Sequence, residues 1–235
     1  MTRLVQQFDE VSFTFTYFLI DEKTKEAVII DPVDTKLNDV LNFINKEHLT
    51  IKYVLETHAH ADHITSAGNL CKMTGAIAAT PAHCNISNAE IQLEDGQELA
   101  FGNGQVIKAI HTPGHTAGSM SFTWNNMVFS GDTLLINGCG RTDFQSGSNE
   151  ELYNSVVKKL FTLPDETILY PGHDYHGNKK STIGLEKQNN PRLANKSLAE
   201  FTTIMNSLNL PKPKLIDKAV SANLTLGLVS HAAEE

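Results

Sequence analysis

The run Thr57-His58-Ala59-His60-Ala61-Asp62-His63 places three imidazoles and a carboxylate within six residues. Imidazole nitrogen and carboxylate oxygen are the donors that Zn(II) and Fe(II) accept, so this density reads as a metal site. The preceding segment Ile51-Lys52-Tyr53-Val54-Leu55 is apolar and partly β-branched, the pattern of a buried strand. A strand that ends in such a loop delivers its ligands to one edge of a sheet. A chance surface cluster of histidines is the competing reading, and the later segments of the chain weigh against it.

With 235 residues, 40% hydrophobic and 20% charged, the chain has the size and composition of one ordinary globular domain, spanning 1–235. Its net charge of -8 comes without a basic cluster, which argues against nucleic acid and acidic membrane surfaces as partners. The first ten residues show neither the apolar core of a signal peptide nor transit-peptide character. No apolar run approaches the roughly 18 residues that span a bilayer. Three cysteines, Cys71, Cys84 and Cys139, make no disulfide framework, and a cytoplasmic location is expected.

Periodicity predicts an α/β chain. Val11, Phe13, Phe15 and Tyr17 alternate with polar residues as in a half-buried strand, and Ala27-Val28-Ile29-Ile30 is a second strand stopped by Asp31-Pro32. Leu37, Val40, Leu41 and Ile44 recur at helical spacing, with Asp34 as the expected cap. A short helix from Ser66 to Met73 ends at Gly75, and short strands separated by turns fill Ala76 to Ile110. Asn125-Asn126 marks a hairpin, Leu152, Val156, Val157 and Leu160 a core-facing helix, and Thr167 to Tyr170 another strand. Helical patterns follow around Leu185, Leu198, Phe201, Ile204 and Met205, and Pro211 and Pro213 begin an irregular tail.

Further segments carry metal-binding residues at the ends of strand-like runs: His111-Thr112-Pro113-Gly114-His115, Phe129-Ser130-Gly131-Asp132 and Tyr170-Pro171-Gly172-His173, with Asp31-Pro32 a weaker instance. In this order they resemble the signature of the metallo-β-lactamase fold superfamily, an HxHxDH loop followed by a His, an Asp and a final His. The matching residues are His58, His60, Asp62, His63, His115, Asp132 and His173. The resemblance implies an αββα sandwich with the metal site at one edge of the two sheets.

Two chemistries within that superfamily compete. A binuclear hydroxyacylglutathione hydrolase of the glyoxalase II type would hold two metals, such as Zn, that share Asp132 and attack a thioester with a bridging hydroxide. A persulfide dioxygenase would hold one Fe(II) on two histidines and a carboxylate, with positions open for a sulfur and O2. Ligand spacing does not choose. The stretches Gly138 to Gly147, Gly172 to Gly177, Asn190-Pro191-Arg192 and Leu208 to Pro213 resemble the persulfide dioxygenases. Gly172, however, stands where those enzymes often carry Ala.

That resemblance implies Fe(II), one per chain, on His58, His115 and Asp132. His60, Asp62, His63 and His173 then lie around it as supporting residues or as ligands of a second metal. It further implies glutathione persulfide and O2 as substrates, sulfite and glutathione as products, and a homodimer. Arg141 is the candidate for meeting a glutathione carboxylate, against a reading as a loop arginine paired with Asp143. Tyr175 is the candidate hydrogen-bond donor to substrate or O2, against simple packing. Cys139 is a candidate in the substrate pocket, with a redox part or, more blandly, a packing part. His48, His83, His111, His176 and His231 have no motif partners and are expected to be ordinary polar residues.

Overall fold

The computed structural model describes residues 1–212 and 215–228; Pro213 and His231 lie outside the described residues. The apolar runs pair into two six-stranded sheets. In spatial order the first contains β1 (Thr2–Asp9), β2 (Thr14–Asp21), β3 (Glu26–Ile30), β4 (Thr50–Leu55), β5 (Ile77–Pro81) and β6 (Ile91–Leu93). The second runs from β7 (Glu98–Phe101) through β8 (Gln105–His111), β9 (Met120–Trp124), β10 (Met127–Gly131) and β11 (Ile168–Pro171) to β12 (Ser181–Thr182). Helices α1 (Leu37–Glu47) and α2 (Ala67–Thr74) accompany the first sheet in sequence. The helices α3 (Asn149–Lys158), α4 (Ile183–Asn189), α5 (Leu198–Ser207) and α6 (Ile216–Asn223) come after β10.

Three apolar clusters define the layers. Phe15, Tyr17 and Leu19 of β2 point between the sheets, where they meet Phe101, Phe122, Trp124 and Phe129 of the second sheet. Phe18 and Ile20, one residue out of phase, point the other way onto Val40 and Ile44 of α1 and Leu70 of α2. On the far side, Val128 and Leu169 pack against Leu152 and Val156 of α3 and Phe201 of α5. The arrangement is the expected αββα sandwich. Both faces of each central strand are covered, which is why these strands are nearly continuous apolar runs.

Three expectations are corrected. The strand anticipated from Val11 begins at Thr14, and Val11 is 80% exposed. Asp9 accepts hydrogen bonds from the Ser12 amide at 2.8 Å and its hydroxyl at 2.6 Å, which closes a turn between β1 and β2. The edge strand β1 escaped the periodicity because it carries Arg3, Gln6 and Gln7 and is only half-buried. Asp34 does not cap α1; it opens a short 3-10 turn, and no side chain caps the helix. The irregular tail contains α6, whose Ala219 and Asn223 are buried.

That last helix matters for the metal loop. Asn223 donates from Nδ2 to the carbonyls of His60 (2.9 Å) and His63 (2.8 Å), and its Oδ1 accepts from the Thr65 amide at 2.9 Å. One buried amide thus satisfies three backbone groups that the loop would otherwise strand. Among the described residues no helix is long and apolar enough to cross a membrane. Asn223→Ala is expected to lower unfolding free energy by about 2–4 kcal/mol in urea titrations, because it leaves those groups buried and unpaired. A loss below about 1 kcal/mol would show that water replaces the amide without cost.

Candidate metal centre

The site is assembled where strands end. Strand β4 delivers the loop Glu56 to His63, β8 leads to His115, β10 to Asp132 and β11 to His173. Pairing in parallel puts Gly131 beside Pro171, and the Gly172 amide donates to the Gly131 carbonyl at 2.8 Å. The next side chains, Asp132 and His173, therefore emerge together, with His173 Nδ1 2.6 Å from Asp132 Oδ1. The two sheets are stitched here by the Met120 amide, which donates to the Thr57 carbonyl at 2.8 Å.

Donor atoms of His58, His115 and Asp132 all lie within 4.8 Å of one another. Each histidine is oriented from behind. His58 Nδ1 lies 3.0 Å from Thr57 Oγ1, and His115 Nδ1 donates to the Arg141 carbonyl at 2.7 Å. Both rings keep Nε2 for the centre, and His115 Nε2 stands 3.6 Å from Asp132 Oδ2. Two imidazoles and one carboxylate with open nitrogens, each held by a hydrogen bond on its other side, fit a divalent metal. Burial, together with the neighbouring His60 and His115, lowers the pKa of His58 well below the ordinary histidine value, so its ring is neutral as a ligand must be. Burial would raise Asp132, but the charge and hydrogen bond of His173 outweigh it and hold the carboxylate ionised.

Glycine is required where backbone crowds the ligands. A Cβ on Gly140 would stand 2.4 Å from the Asp132 carbonyl oxygen and 2.8 Å from His115 Nδ1. On Gly172 it would fall 2.7 Å from Asp132 Oδ1, so Ala at that position would need the carboxylate to shift.

The other acids and imidazoles face one another. His63 Nδ1 lies 3.0 Å and His173 Nε2 2.8 Å from the same Asp62 Oδ2. His60 is turned to a buried acidic pair, with Nε2 3.2 Å from Asp31 and 3.3 Å from Glu56, though neither contact is aligned as a hydrogen bond. Burial disfavours the charged ring, but these carboxylates push His60 up to about 10, while burial raises Glu56 to about 7. Asp31, a weak ligand candidate from the sequence, is spent on the loop. Its carboxylate accepts from the Thr57 amide (2.7 Å) and hydroxyl (2.8 Å).

A cleft of about 490 Å³ opens on His115, Asp132 and His173, and Cys139, Arg141 and Arg192 line it. The Arg141 guanidinium is already paired with both oxygens of Asp143 (2.6 and 2.7 Å) and donates to the Pro211 carbonyl at 2.7 Å. The alternative reading expected that pairing with Asp143, and the same guanidinium ties the two segments that wall the cleft. Tyr175 is 60% exposed and lies parallel to the His173 ring, 6.2 Å between centroids. Buried Cys139 touches Met205 Sδ at 3.7 Å, and its carbonyl accepts from Arg192 at 2.7 Å. The cation beside its thiol is thus Arg192 and not Arg141; burial outweighs it and pushes the thiol up to about 11. His83 and His111 stack on each other away from the centre, 4.6 Å between centroids.

Sequence reasoning passed over Thr14, Glu56 and Asn223. Each supports the metal loop from a distant or motif-free position. Gln145, quoted above only within a resembling stretch, donates from Nε2 to the Ala59 carbonyl at 2.7 Å.

Residues 10–83 and 85–173 match the model of the metallo-beta-lactamase superfamily. The human persulfide dioxygenase ETHE1, named mitochondrial, is 45% identical over 98% of this chain and 91% of its own length. A crystal structure of ETHE1 from Myxococcus xanthus superposes with a TM-score of 0.93 at 46% identity, covering 97% of this chain and all of that one. The cytoplasmic hydroxyacylglutathione hydrolase of Arabidopsis thaliana is 34% identical, but over 68% of this chain and 64% of its own length. The whole-length likeness lies with the oxidoreductases, and the chain belongs to the persulfide dioxygenase branch of the metallo-β-lactamase superfamily.

Proposed function

We propose that the protein is a glutathione persulfide dioxygenase that works with one Fe(II) on His58, His115 and Asp132. The observation that carries this reading is the split in the ligand constellation. Donor atoms of those three lie within 4.8 Å of one another, and His115 and Asp132 line the cleft, whereas Asp62, which lines it too, is hydrogen-bonded to both His63 and His173. A facial set of two histidines and one carboxylate, when it binds Fe(II), leaves adjacent positions free for a soft sulfur and for O2.

The reaction balances as GSSH + O2 + H2O → GSH + sulfite + 2 H⁺. The persulfide loses four electrons in all and O2 gains them; the sulfur–sulfur bond breaks, the outer sulfur becoming sulfite and the inner sulfur leaving as the thiol. The chain's own part is to bind and orient. The carbonyl of Arg141 fixes the His115 ring, and Thr57 fixes His58. His173 holds Asp132 by one oxygen, so the other is left toward the ligand set. Arg192 and Lys212 on the cleft wall supply positive charge for a substrate that carries carboxylates. With Arg141 committed to Asp143, its part is to hold the wall at Leu210 and Pro211 against the substrate.

The deciding experiment is O2 uptake by anaerobically prepared, Fe(II)-loaded protein given glutathione persulfide, with sulfite and bound metal assayed together. Matching O2 loss and sulfite with about one iron per chain is the expected result. Hydrolysis of S-lactoylglutathione without O2, on two metals, would assign the chain to the hydrolase alternative instead.

Two variants separate the roles. Asp132→Ala is expected to lose iron. Arg141→Ala should retain it and raise KM or lower kcat by roughly tenfold, the scale of one charge-assisted contact; unchanged turnover would remove Arg141 from the cleft's working parts. Cys139 belongs to packing in this scheme. Its thiol should react with iodoacetamide at about pH 8 more than a hundredfold slower than free cysteine, because the thiolate is scarce and covered. Rapid alkylation of the native protein, read by mass spectrometry, would restore a redox part.

A further inference from the structure

The loop from Gly140 to Gly147 reaches each of the three segments that carry His58, His115 and Asp132. Its Gly140 amide donates to the Asp132 carbonyl at 2.7 Å, and its Arg141 carbonyl accepts from the His115 ring at 2.7 Å. The third contact is made by a side chain. Gln145 Nε2 donates at 2.7 Å to the carbonyl of Ala59, the residue after His58. We infer that Gln145 is a positioning residue of the metal centre, a crossbar that keeps the His58 segment at its distance from His115 and Asp132. This rests on the three-ligand reading proposed above, and it assigns Gln145 no contact with metal or substrate.

The backbone of the loop is strained where this side chain leaves it. Gln145 and Ser146 are consecutive non-glycine residues with φ of 48° and 57°, in the left-handed region that L side chains enter only at a cost. Such conformations persist where surrounding contacts over-determine them, and they gather at functional sites. Here those contacts are present. The Gly147 amide donates to the Phe144 carbonyl at 2.8 Å, and a Cβ on Gly147 would stand 2.4 Å from the Thr142 carbonyl oxygen. The Gln145 carbonyl accepts from the Ala117 amide at 3.4 Å, two residues past His115. Gln145 is thus held to the His115 segment by its backbone and to the His58 segment by its side chain. Asp31 and Asn223 brace the same metal loop through Thr57, His60, His63 and Thr65. Gln145 adds the side-chain link from that loop to the one that braces the other two ligands. A crossbar of this kind acts on the spacing of the ligands, since the Ala59 carbonyl follows His58 directly.

The test is Co(II) binding to the metal-free full chain, read as an affinity by competition with a chromophoric chelator and as the visible absorption spectrum of the bound ion. Gln145→Met keeps the length of the side chain and loses the donor. It should weaken Co(II) about tenfold to a hundredfold, the range seen when a residue supporting a metal ligand is changed, and shift the absorption bands. If that variant does not fold, as judged by circular dichroism, Gln145→Ala carries the same test. Ser146→Gly relieves one left-handed residue and leaves the amide in place, so it is expected to match wild type in affinity and spectrum. A folded Gln145 variant with wild-type affinity and spectrum overturns the role of Gln145. So does a Ser146→Gly variant that weakens Co(II) as much, because the turn and not the amide would then set the ligands. Asp132→Ala tells this failure from that of the ligand reading. If Asp132→Ala loses Co(II) while the Gln145 variants bind as wild type does, only the role of Gln145 falls. If Asp132→Ala binds with wild-type affinity, the three-ligand reading falls and the role of Gln145 with it.

Discussion

Asp132 joins the two halves of this centre. One oxygen receives His173 and the other faces His115, so a single carboxylate links the ligand set to the supporting cluster. Its position is a consequence of strand pairing and not of loop flexibility, since β10 and β11 run parallel and release Asp132 and His173 from adjacent chain ends. Everything nearby is built to tolerate that carboxylate. Gly172 makes room for it, Gly140 makes room for its backbone carbonyl and the His115 ring, and the imidazoles hold it ionised against the cost of burial.

The polar side chains around the metal loop would be expensive if left alone, and the fold answers with chains of hydrogen bonds from distant segments. Asp31 takes the Thr57 amide and hydroxyl, Gln145 takes the Ala59 carbonyl, and Asn223 takes those of His60 and His63. Buried atoms still unpaired among the described residues include Glu56 Oε2, both nitrogens of His60 and Nε2 of His63. They lie in the same loop that carries the metal ligand His58. Stability is thus given up locally at the site, while the three apolar layers supply it elsewhere.

The buried strands and the ligand identities were legible in the sequence because their signals are local. Runs such as Ala27 to Ile30 can only be covered strands, and the spacing from His58 to His63 has few structural uses. What stayed hidden depends on contacts between distant segments. Edge strand β1 looks polar because half its surface meets water, and the turn at Asp9 imitates a strand by placing Val11 and Phe13 at alternate positions. Helix α6 follows two prolines and a mixed sequence, so nothing local announces Asn223. Arg141 shows the same limit at the site. Its charge suggested a substrate contact, but its geometry depends on Asp143 and on carbonyls some seventy residues away.

Shared ligands need not mean shared chemistry, because the reaction depends on which donor atoms are free rather than on which residues are present. Here seven residues of a common constellation are all retained, yet their donor atoms gather into separate close sets, His58, His115 and Asp132 in one and His60, Asp62 and His63 in another. Which of a ligand's two nitrogens is spent matters, since imidazole offers either a proton or a lone pair at a given nitrogen, never both. The same argument explains why motif spacing could not choose between hydrolysis and oxidation: it records where the ligands are and not how their second nitrogens are spent.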